Sequence, residues 1–546
     1  MKSSDELIRE LLEKRGIKPE DFEKFLNPDI RNLKPAEELD GVIEAAETIL
    51  SAIAEKRMIV VFGDYDCDGV CATAILVRTL LVLNAKVEAF IPKRLEEGYG
   101  MSETAIARML GEFPDCSMVI TVDNGINAVQ EVAGLKARGI KVVITDHHLP
   151  GNTLPEADAM IDPKVAAPAE LQEICGATVA FLLAERLITE AKNRGWYNGE
   201  SIGGPLLVLA GLATVTDIMP LLGQNRILVS EALKRFPRCA PLGLKELHNR
   251  SARGGYDQLT SKDFGFLLGP RINAAGRISS GMAALELILT EDREISRESA
   301  RIIDTYNYER KSIESGMTEE ALRKVVPEAT AQVIDLPNGH PGVAGIVAAR
   351  VLERMQVPVC VVAGGHGSAR APEGVNIRDA FVACDEYLER YGGHAAAGGF
   401  SVRAGKMDEF RKALCEYCRG LPKVSVKDSV DVKVELEDIT LELAEQISKL
   451  EPFGEGNREP VLALEGVYLS EVRTLGQDGK HLQFGFSGSS LRAIWWGHGD
   501  EVEVLRKLVS PVVVNFALII SEYGERHVEL RVISVKPFIK EGDIKS

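Results

Sequence analysis

The stretch that decides the fold is Met58-Ile59-Val60-Val61-Phe62 followed by Gly63-Asp64-Tyr65-Asp66-Cys67-Asp68-Gly69. Its first five residues are a short apolar run typical of a buried strand, and residues 70–83 have the pattern of a buried helix. Three carboxylates within five residues repel one another unless cations lie among them. The sequence therefore predicts a metal site at the carboxyl end of a strand.

The strongest alternative for these aspartates is the calcium-binding loop of an EF-hand. Asp64, Asp66, Asp68 and Gly69 fit the first, third, fifth and sixth positions of that loop. The twelfth position requires a bidentate Glu, but this chain has Ile75 there. A strand before the aspartates also differs from the helix that an EF-hand requires, so we reject this alternative.

Composition indicates an ordinary globular protein that is long enough for three or four domains. The chain has 546 residues, of which 45% are hydrophobic and 27% charged. No apolar run approaches the ~20 residues of a membrane span, and the N-terminus has no signal-peptide core, so we expect a cytoplasmic protein without membrane contact. Nine cysteines, an odd and scattered set, do not indicate a disulfide framework. The one CxxC pair, Cys415 and Cys418, has no second pair or nearby histidine and is interpreted as incidental.

The formal net charge of −17 does not by itself exclude a nucleic-acid partner. Neutralising phosphates requires clustered Lys and Arg, but affinity depends on local patches rather than on the global sum. Metal ions can also supply positive charge at a site. Charge alone leaves the partner undecided.

The chain divides by pattern into an α/β protein with five segments. Strands at 58–62, 87–91, 117–122, 141–145 and 159–161 alternate with helices, which is typical of a mostly parallel sheet. After residue 423 the pattern changes to short strands with Gly turns, which favours a small OB-like β-barrel. The predicted domains are a helical lead-in (1–45), the α/β domain (46–225), a helical connector (226–325), a smaller α/β domain (326–425) and the barrel (426–546).

Polar residues follow several of the predicted strands, where parallel sheets bind their ligands. Asp123 follows the third strand, and Asp146, His147 and His148 follow the fourth. We also interpret Asp217, after the apolar run 211–216, as lying at a strand end. One such Asp would most often be a helix N-cap, but four strand ends are hard to explain as caps.

The ligand types favour Mn²⁺ or Mg²⁺ over structural zinc, because carboxylates dominate and no thiolate is convincingly placed. We expect His147 to bind metal and His148 to serve as a ligand, a supporting residue or a proton donor. Such a set suits two ions ~4 Å apart that clamp the oxygens of an in-line phosphoryl displacement. The predicted reaction is hydrolysis of a phosphate ester or anhydride.

At these residues the chain resembles the DHH phosphoesterase superfamily, which is named for a triplet such as Asp146-His147-His148. Segments 91–100, 270–277 and 340–348 look like those of the RecJ family of single-strand-specific exonucleases. Residues 392–400 are similar to the Gly-Gly-His motif of the DHHA1 domain, and residues 450–457 to the start of the family's OB domain. These motifs cover most of the chain.

The resemblance implies an exonuclease that degrades single-stranded DNA from the 5′ end to mononucleotides during recombination and repair. Residues 46–225 would form the DHH domain and 326–425 the DHHA1 domain. The implied catalytic residues are Asp123, His147 and His148, and the implied substrate contacts in the DHHA1 domain are Ser368, Arg370 and His394. The implied metal ligands, whose division between two ions stays open, are Asp64, Asp66, Asp68, Asp123, His147 and Asp217.

Three further arginines are candidates for phosphate binding. Arg271, Arg277 and Arg350 lie in Gly/Ala-rich settings, where no neighbouring acid obviously pairs with them. Each could contact a phosphate or form a structural pair. We include Asn273, from the same segment as Arg271 and Arg277, among the candidate phosphate-binding residues.

Partners and alternatives rest on the resemblance. It implies a monomer that cooperates with single-strand-binding protein and a helicase. Other superfamily enzymes, such as oligoribonucleases, cyclic-dinucleotide phosphodiesterases and manganese pyrophosphatases, typically have shorter chains or membrane and sensory segments. A non-catalytic scaffold that has lost its ligands is disfavoured, because all six ligand positions hold Asp or His. Trp495 and Trp496, adjacent on a predicted strand, should point to opposite faces, and either could stack on a base.

Overall fold

The computed structural model of the protein describes residues 3–98, 100–199, 202–251, 255–256, 259–421, 430–476, 478–521 and 525–538. The described residues form two compact units. One unit draws on Met1–Leu33, Pro220–Ser230 and Lys427–Ser546, and the other on Lys34–Met219 and Glu231–Val426. The N-terminal helices α1 (Ser4–Lys14) and α2 (Phe22–Leu26) belong to the first unit.

A five-stranded parallel sheet forms the centre of the first α/β domain. Its elements are α3 (Val42–Ala54), β1 (Met58–Phe62), α4 (Cys67–Val82), β2 (Lys86–Phe90), α5 (Arg94–Glu97), α6 (Glu103–Glu112), β3 (Cys116–Val122), α7 (Val129–Ala137), β4 (Lys141–Thr145), β5 (Ala159–Ile161), α8 (Gly176–Asn193) and α9 (Gly203–Thr216). The strand order is β2-β1-β3-β4-β5, and every neighbouring pair is parallel. Helix α4 packs against α8 and α9, so nearly all of its residues are buried. Because β1, β3 and β4 are parallel neighbours, their carboxyl ends lie side by side at one edge of the sheet.

The strand predictions for this domain are confirmed, with small shifts at the ends of β2 and β3. Helix α4 begins three residues earlier than predicted because Asp66 caps it. The interpretation of Asp217 as a strand-end residue is wrong, since it directly follows helix α9. That helix is buried on all sides from Leu206 to Thr214, and an apolar run without polar spacing does not distinguish a buried helix from a strand.

Helices fill the region between the two α/β domains, as the sequence predicts. They are α10 (Gly223–Cys239), α11 (Leu242–Ser251), α12 (Gly269–Ile278), α13 (Gly281–Leu289) and α14 (Arg293–Arg323). A π-helical segment, Asp263–Leu268, runs directly into α12. Helix α14 has 31 residues and packs against both α12 and the first helix of the next domain, Ala344–Met355.

The second α/β domain contains a mixed five-stranded sheet in the order β6-β7-β8-β10-β9. Its elements are β6 (Gln332–Leu336), α15 (Ala344–Met355), β7 (Val359–Ala363), β8 (His366–Arg370), α16 (Ile377–Ala383), β9 (Leu388–Gly393), β10 (Ala397–Val402) and α17 (Met407–Arg419). The predicted helix 344–355 is confirmed, and the predicted strand 357–362 is found two residues later at its start. The Gly-rich stretch forms the antiparallel turn between β9 and β10.

The C-terminal β domain has seven strands in one sheet, in the order β11-β12-β16-β17-β15-β14-β13. Its elements are β11 (Val432–Lys433), α18 (Leu441–Ser448), β12 (Leu462–Val467), β13 (Leu469–Leu475), β14 (His481–Phe486), β15 (Arg492–Trp495), α19 (Val502–Arg506), β16 (Val512–Ser521) and β17 (His527–Pro537). Leu7 and Leu11 of α1 are part of the core of this domain. Within the described chain, none of the helices has the length and apolar character that crossing a bilayer requires.

Candidate metal centre

The loop after β1 carries aspartates whose side chains are fixed by backbone amides. Asp66 accepts a hydrogen bond from the Gly69 amide at 3.0 Å and so caps α4. Asp68 accepts from the amides of Gly176 and Ala177, at 2.7 and 2.8 Å, in the first turn of α8. A carboxylate is favourable there because the N-terminus of a helix carries partial positive charge. Both side chains are thus oriented by the fold itself.

Two glycines allow the chain to approach the other carboxylates closely. A Cβ atom at Gly69 would lie 2.6 Å from the Asp64 Cβ, and one at Gly176 would lie 2.7 Å from the Asp123 Cβ. Asp123 has a φ of 60°, the left-handed region that residues other than glycine seldom adopt. Asp64 and Asp123 are only 1% and 2% exposed. A side chain at either glycine would displace a carboxylate.

The triplet after β4 divides its roles among three side chains. Asp146 accepts hydrogen bonds from the backbone amides of His147, His148 and Ile126. It also accepts from Nδ1 of His148 at 2.7 Å, which fixes the orientation of that ring. Asp146 therefore holds the two histidines and the loop after β3 in place.

His147 is the point where the carboxylates from different elements meet. Its Nε2 lies 3.1 Å from Asp123 Oδ1, 3.5 Å from Asp68 Oδ2 and 3.7 Å from Asp217 Oδ2. These carboxylates come from the end of β3, the start of α4 and the end of α9. The structure thus brings residues that are far apart in the sequence into one cluster.

The predicted ligands form three groups in which all ligand atoms lie within 4.8 Å of one another. The groups are Asp64 with Asp66 and Asp123; Asp68 with His147 and Asp217; and Asp123 with His147 and His148. All six predicted ligands are therefore brought together, although Asp217 reaches the cluster from a helix. Asp123 belongs to two groups, so its carboxylate is placed to bridge neighbouring sites.

The carboxylates of this cluster are electrostatically strained. Burial, and then the charge of Asp66, raises the pKa of Asp64 well above its ordinary value. Burial and the neighbouring Asp68 likewise raise the pKa of Asp123, and they raise the pKa of Asp217 to about 9. Cations within the cluster would relieve both the burial penalty and the repulsion.

The two histidines titrate in opposite directions. Burial lowers the pKa of His147, which favours the neutral imidazole that a metal ligand requires. Burial alone would also lower the pKa of His148, but the hydrogen bond to Asp146 and its charge raise that pKa to about 9. The pairing with Asp146 therefore favours the protonated form of His148, which can donate a proton.

Of the two roles left open for Arg271 and Arg350, phosphate contact or structural pairing, the structure shows an acidic partner for each. Arg271 Nε binds Asp304 at 3.0 Å, and Arg350 Nε binds Glu314 at 3.0 Å. Both acids lie on α14, more than thirty residues away in sequence, so local sequence context could not show these two pairs. Arg350 has a second partner that is local, because its Nη1 lies 3.2 Å from Glu353 Oε2, three residues later on the same helix. These two arginines have structural partners already.

Arg277 and Arg370, in contrast, are paired only with backbone carbonyls among the described residues. Arg277 donates to Gly342 O at 2.9 Å, and Arg370 donates to Ala369 O at 2.8 Å. Burial, followed by the nearby cations Arg94 and Arg370, lowers the pKa of Arg277 to about 10. Clustered guanidinium groups without carboxylates are typical of an anion site.

A cleft of about 760 Å³ opens at Arg94, a neighbour whose charge acts on both Arg277 and Arg370. We call it the arginine cleft; its lining includes Tyr65, Arg94, Ser368, Tyr391, Gly392 and Gly393. Arg94 lies over the Tyr65 ring at 5.0 Å, although sequence reasoning assigned no individual role to this arginine. The cleft contains side chains from both α/β domains, next to the segment 63–68 after β1, which we call the aspartate loop.

The other predicted contacts have mixed positions. Ser368 lines the arginine cleft. The side chain of His394 is largely exposed; partial burial and, second, the charge of His148 lower the pKa of His394, so the two histidines lie close together. Asn273 Oδ1 accepts the Cys67 amide at 2.7 Å, so this residue anchors the aspartate loop to α12. Asn273 acts on the site through the backbone of that loop.

The two adjacent tryptophans of the C-terminal β domain differ in exposure, but they do not share a strand as predicted: Trp495 ends β15 and Trp496 lies in the turn after it. Trp495 packs against the domain core and stacks on His498 with ring centres 4.0 Å apart. Trp496 is 51% exposed, with the His481 ring edge-on at 4.7 Å. Trp496 is the one available to a base.

Comparison with known proteins identifies three domains in the chain. The DHH family N-terminal domain matches residues 58–207, the DHHA1 domain residues 328–420, and the RecJ OB domain residues 430–534. The parallel sheet with its carboxylate and histidine cluster thus defines a DHH-type phosphoesterase.

Curated relatives narrow this class. The chain is 35% identical to a single-stranded-DNA-specific exonuclease RecJ from Dickeya dadantii, with 87% of this chain and 86% of the relative covered. It is 35% identical to RecJ from Bacillus subtilis over 87% of this chain, but spans only 61% of that relative. The crystal structure of RecJ from Thermus thermophilus in complex with Mn²⁺ has a TM-score of 0.83 and 32% identity, covering 99% of this chain and 77% of the other. The chain belongs to the RecJ family of single-stranded-DNA-specific exonucleases.

Proposed function

We propose that this protein is a metal-dependent exonuclease that hydrolyses single-stranded DNA from the 5′ end and releases mononucleotides. The observation that carries the proposal is the meeting of His147 with carboxylates of three separate elements, next to arginines without carboxylate partners among the described residues. Metal cations can activate water and stabilise charge at the phosphate that is cleaved, and arginine side chains can bind neighbouring phosphate oxygens.

The residues of the cluster fit Mn²⁺ or Mg²⁺. Within the described chain, Asp64 Oδ1 and His147 Nε2 are buried and have no hydrogen-bond partner. Asp64, Asp66 and Asp123 would hold one ion, and Asp68, His147 and Asp217 the other. Asp123 Oδ1 lies 3.1 Å from His147 Nε2 and so connects the two groups. Bound ions would supply an activated water and neutralise charge on the phosphate oxygens. Mainly oxygen donors with one imidazole suit these metals.

The protein's own side chains supply the remaining chemistry. His148, whose protonated form the pairing with Asp146 favours, donates a proton to the departing 3′ oxygen. Arg277 and Arg370 bind phosphate oxygens of the terminal nucleotide, with Ser368 and His394 as further polar contacts. Arg94 belongs to the same set, because it lines the arginine cleft.

The polarity of hydrolysis is tested with one oligonucleotide carrying either a 5′ or a 3′ label, in Mn²⁺ and in Mg²⁺, with a duplex control. We expect labelled mononucleotide to appear at once from the 5′-labelled strand, whereas the 3′-labelled strand shortens gradually. The duplex should be resistant. Early release of mononucleotide from the 3′ end would show that the proposed polarity is wrong.

Metal-free stability provides a separate test of the crowded carboxylates. Since the folded-state pKa of Asp64 is raised, this group destabilises the fold progressively as pH rises above its unfolded pKa. In chelator, Asp64→Asn should therefore raise Tm by about 2 °C near pH 8, and the gain should vanish near pH 4. With saturating Mn²⁺, wild type should gain more than the variant. A variant less stable than metal-free wild type at high pH would contradict the electrostatic account.

The partner proteins and the monomeric state stay predictions from the family resemblance. We infer that single-strand-binding protein and a helicase cooperate with this enzyme in recombination and repair, and that the enzyme acts as a monomer. Co-purification with each candidate partner and light scattering of the isolated protein test these two points.

A further inference from the structure

A second cleft, of about 710 Å³, opens beside His148. We call it the His148 cleft; its lining includes Met101, His148, Leu149, Pro150, Arg378 and His394. It shares Tyr391, Gly392 and Gly393 with the arginine cleft. One cleft thus reaches the metal centre at Tyr65, in the loop after β1, and the other reaches it at His148, after β4.

Two clefts suit the requirement of an exonuclease that releases single nucleotides. Such an enzyme must hold one nucleotide on each side of the phosphate that it cleaves. Arg94 and Arg390 line the arginine cleft, which suits the high charge of a terminal phosphate. The lining also contains two acids whose carboxylates pair with cations outside it: Glu96 with Lys93 and Glu97 with Arg108. In the His148 cleft, Arg378 lies with two acids, Glu131 and Asp146, so this cleft is less positive. Its charge suits an internal nucleotide, whose phosphate carries a single negative charge.

The lining of the His148 cleft has apolar surface for a base and a cation for a phosphate. Leu149 is 56% exposed although it closely follows buried residues of the metal centre. Bases gain free energy by covering apolar side chains, as they do by stacking on aromatic ones.

Arg378 is exposed, and no ion pair involves it among the described residues. Its charge is close enough to contribute, after burial and His148, to lowering the pKa of His394. Arg378 itself lines the cleft, so its guanidinium is available there to an anion.

We propose that the His148 cleft binds the second nucleotide of the strand, with Leu149 beneath its base and Arg378 on the phosphate that follows it. This assignment rests on the proposed function and defines how the substrate continues beyond the cleaved bond. Arg378 and Leu149 then contribute affinity for the strand in addition to the affinity that the metal centre provides.

Short substrates separate the two contacts. A 5′-phosphorylated dinucleotide has the second base but lacks the following phosphate, whereas a trinucleotide has both. Arg378→Gln should raise KM about tenfold for the trinucleotide and leave the dinucleotide within about twofold. Arg378→Lys should recover part of the loss. Leu149→Ser should raise KM for both substrates, with little change in kcat.

Arg403→Gln is the matched control, because Arg403 is an exposed arginine of the same domain outside both clefts. It should leave both substrates unchanged. Equal effects of Arg378→Gln on the two substrates, or no effect on either, would overturn the assignment while wild-type hydrolysis upholds the proposed function. Failure of the wild-type enzyme to hydrolyse either substrate or the longer strand would overturn the proposed function, and this assignment with it.

Discussion

Asp123→Asn is expected to lower kcat for single-stranded DNA at least ~10³-fold, equivalent to about 4 kcal/mol of transition-state stabilisation. Asp123 is the carboxylate shared between ligand groups and lies 3.1 Å from His147 Nε2. Asn has the same shape but lacks the charge, so the fold should persist. Single-turnover hydrolysis in Mn²⁺, with strand affinity measured in parallel, checks the prediction.

The matched control for this variant is Asp115→Asn. Asp115 is an exposed aspartate in the turn before β3, at the opposite end of the strand that leads to Asp123. Its replacement should leave kcat and affinity unchanged. Full Mn²⁺-dependent activity of Asp123→Asn would overturn the assignment of the metal centre.

Arg277→Gln and Arg271→Gln should have opposite phenotypes, although the two arginines lie on one helix, α12. Arg277 is held only by a backbone carbonyl among the described contacts and lies close to other cations, so its loss should lower kcat/KM about 10²-fold, or roughly 2.7 kcal/mol. Arg271 pairs with Asp304, so its loss should lower Tm by about 1 °C and change kcat/KM less than about threefold.

Steady-state kinetics and thermal unfolding of both variants provide the comparison. The loss in Arg277→Gln should shrink when the substrate lacks a 5′ phosphate, because that variant and that substrate remove the two halves of one contact. Equal loss of activity in both variants would contradict the prediction, because it would show that Arg271 contributes to activity as much as Arg277 despite its pairing with Asp304.

The sequence predicts most of the first α/β domain because its strands are apolar runs bounded by polar residues. Strand β1 and its aspartates are found where the pattern places them, and the parallel order brings Asp123 and His147 to the same edge. Asp217 does lie in the cluster, but on a different element from the one predicted. Helix α9 is surrounded by protein, so its sequence has no polar face to reveal its period.

Contacts made across long sequence separations account for the rest. The pairing of Arg350 with Glu314 depends on how α14 packs against α15. The role of Arg378 likewise depends on a cleft between two domains, and no local pattern distinguishes it from other exposed arginines. Periodicity and strand ends locate a catalytic centre, but they do not show which charges elsewhere are already neutralised.

The helix-capping role of Asp68 has a practical consequence for trapping the enzyme with its substrate. Asp68 receives two amide hydrogen bonds from the start of α8, so replacing it removes a structural anchor together with a metal ligand. Neutralising Asp64 or Asp123 instead relieves a burial penalty and the repulsion of neighbouring carboxylates. Inactive variants intended for crystallising a DNA complex should therefore carry the substitution at position 64 or 123, where loss of activity leaves the native fold intact.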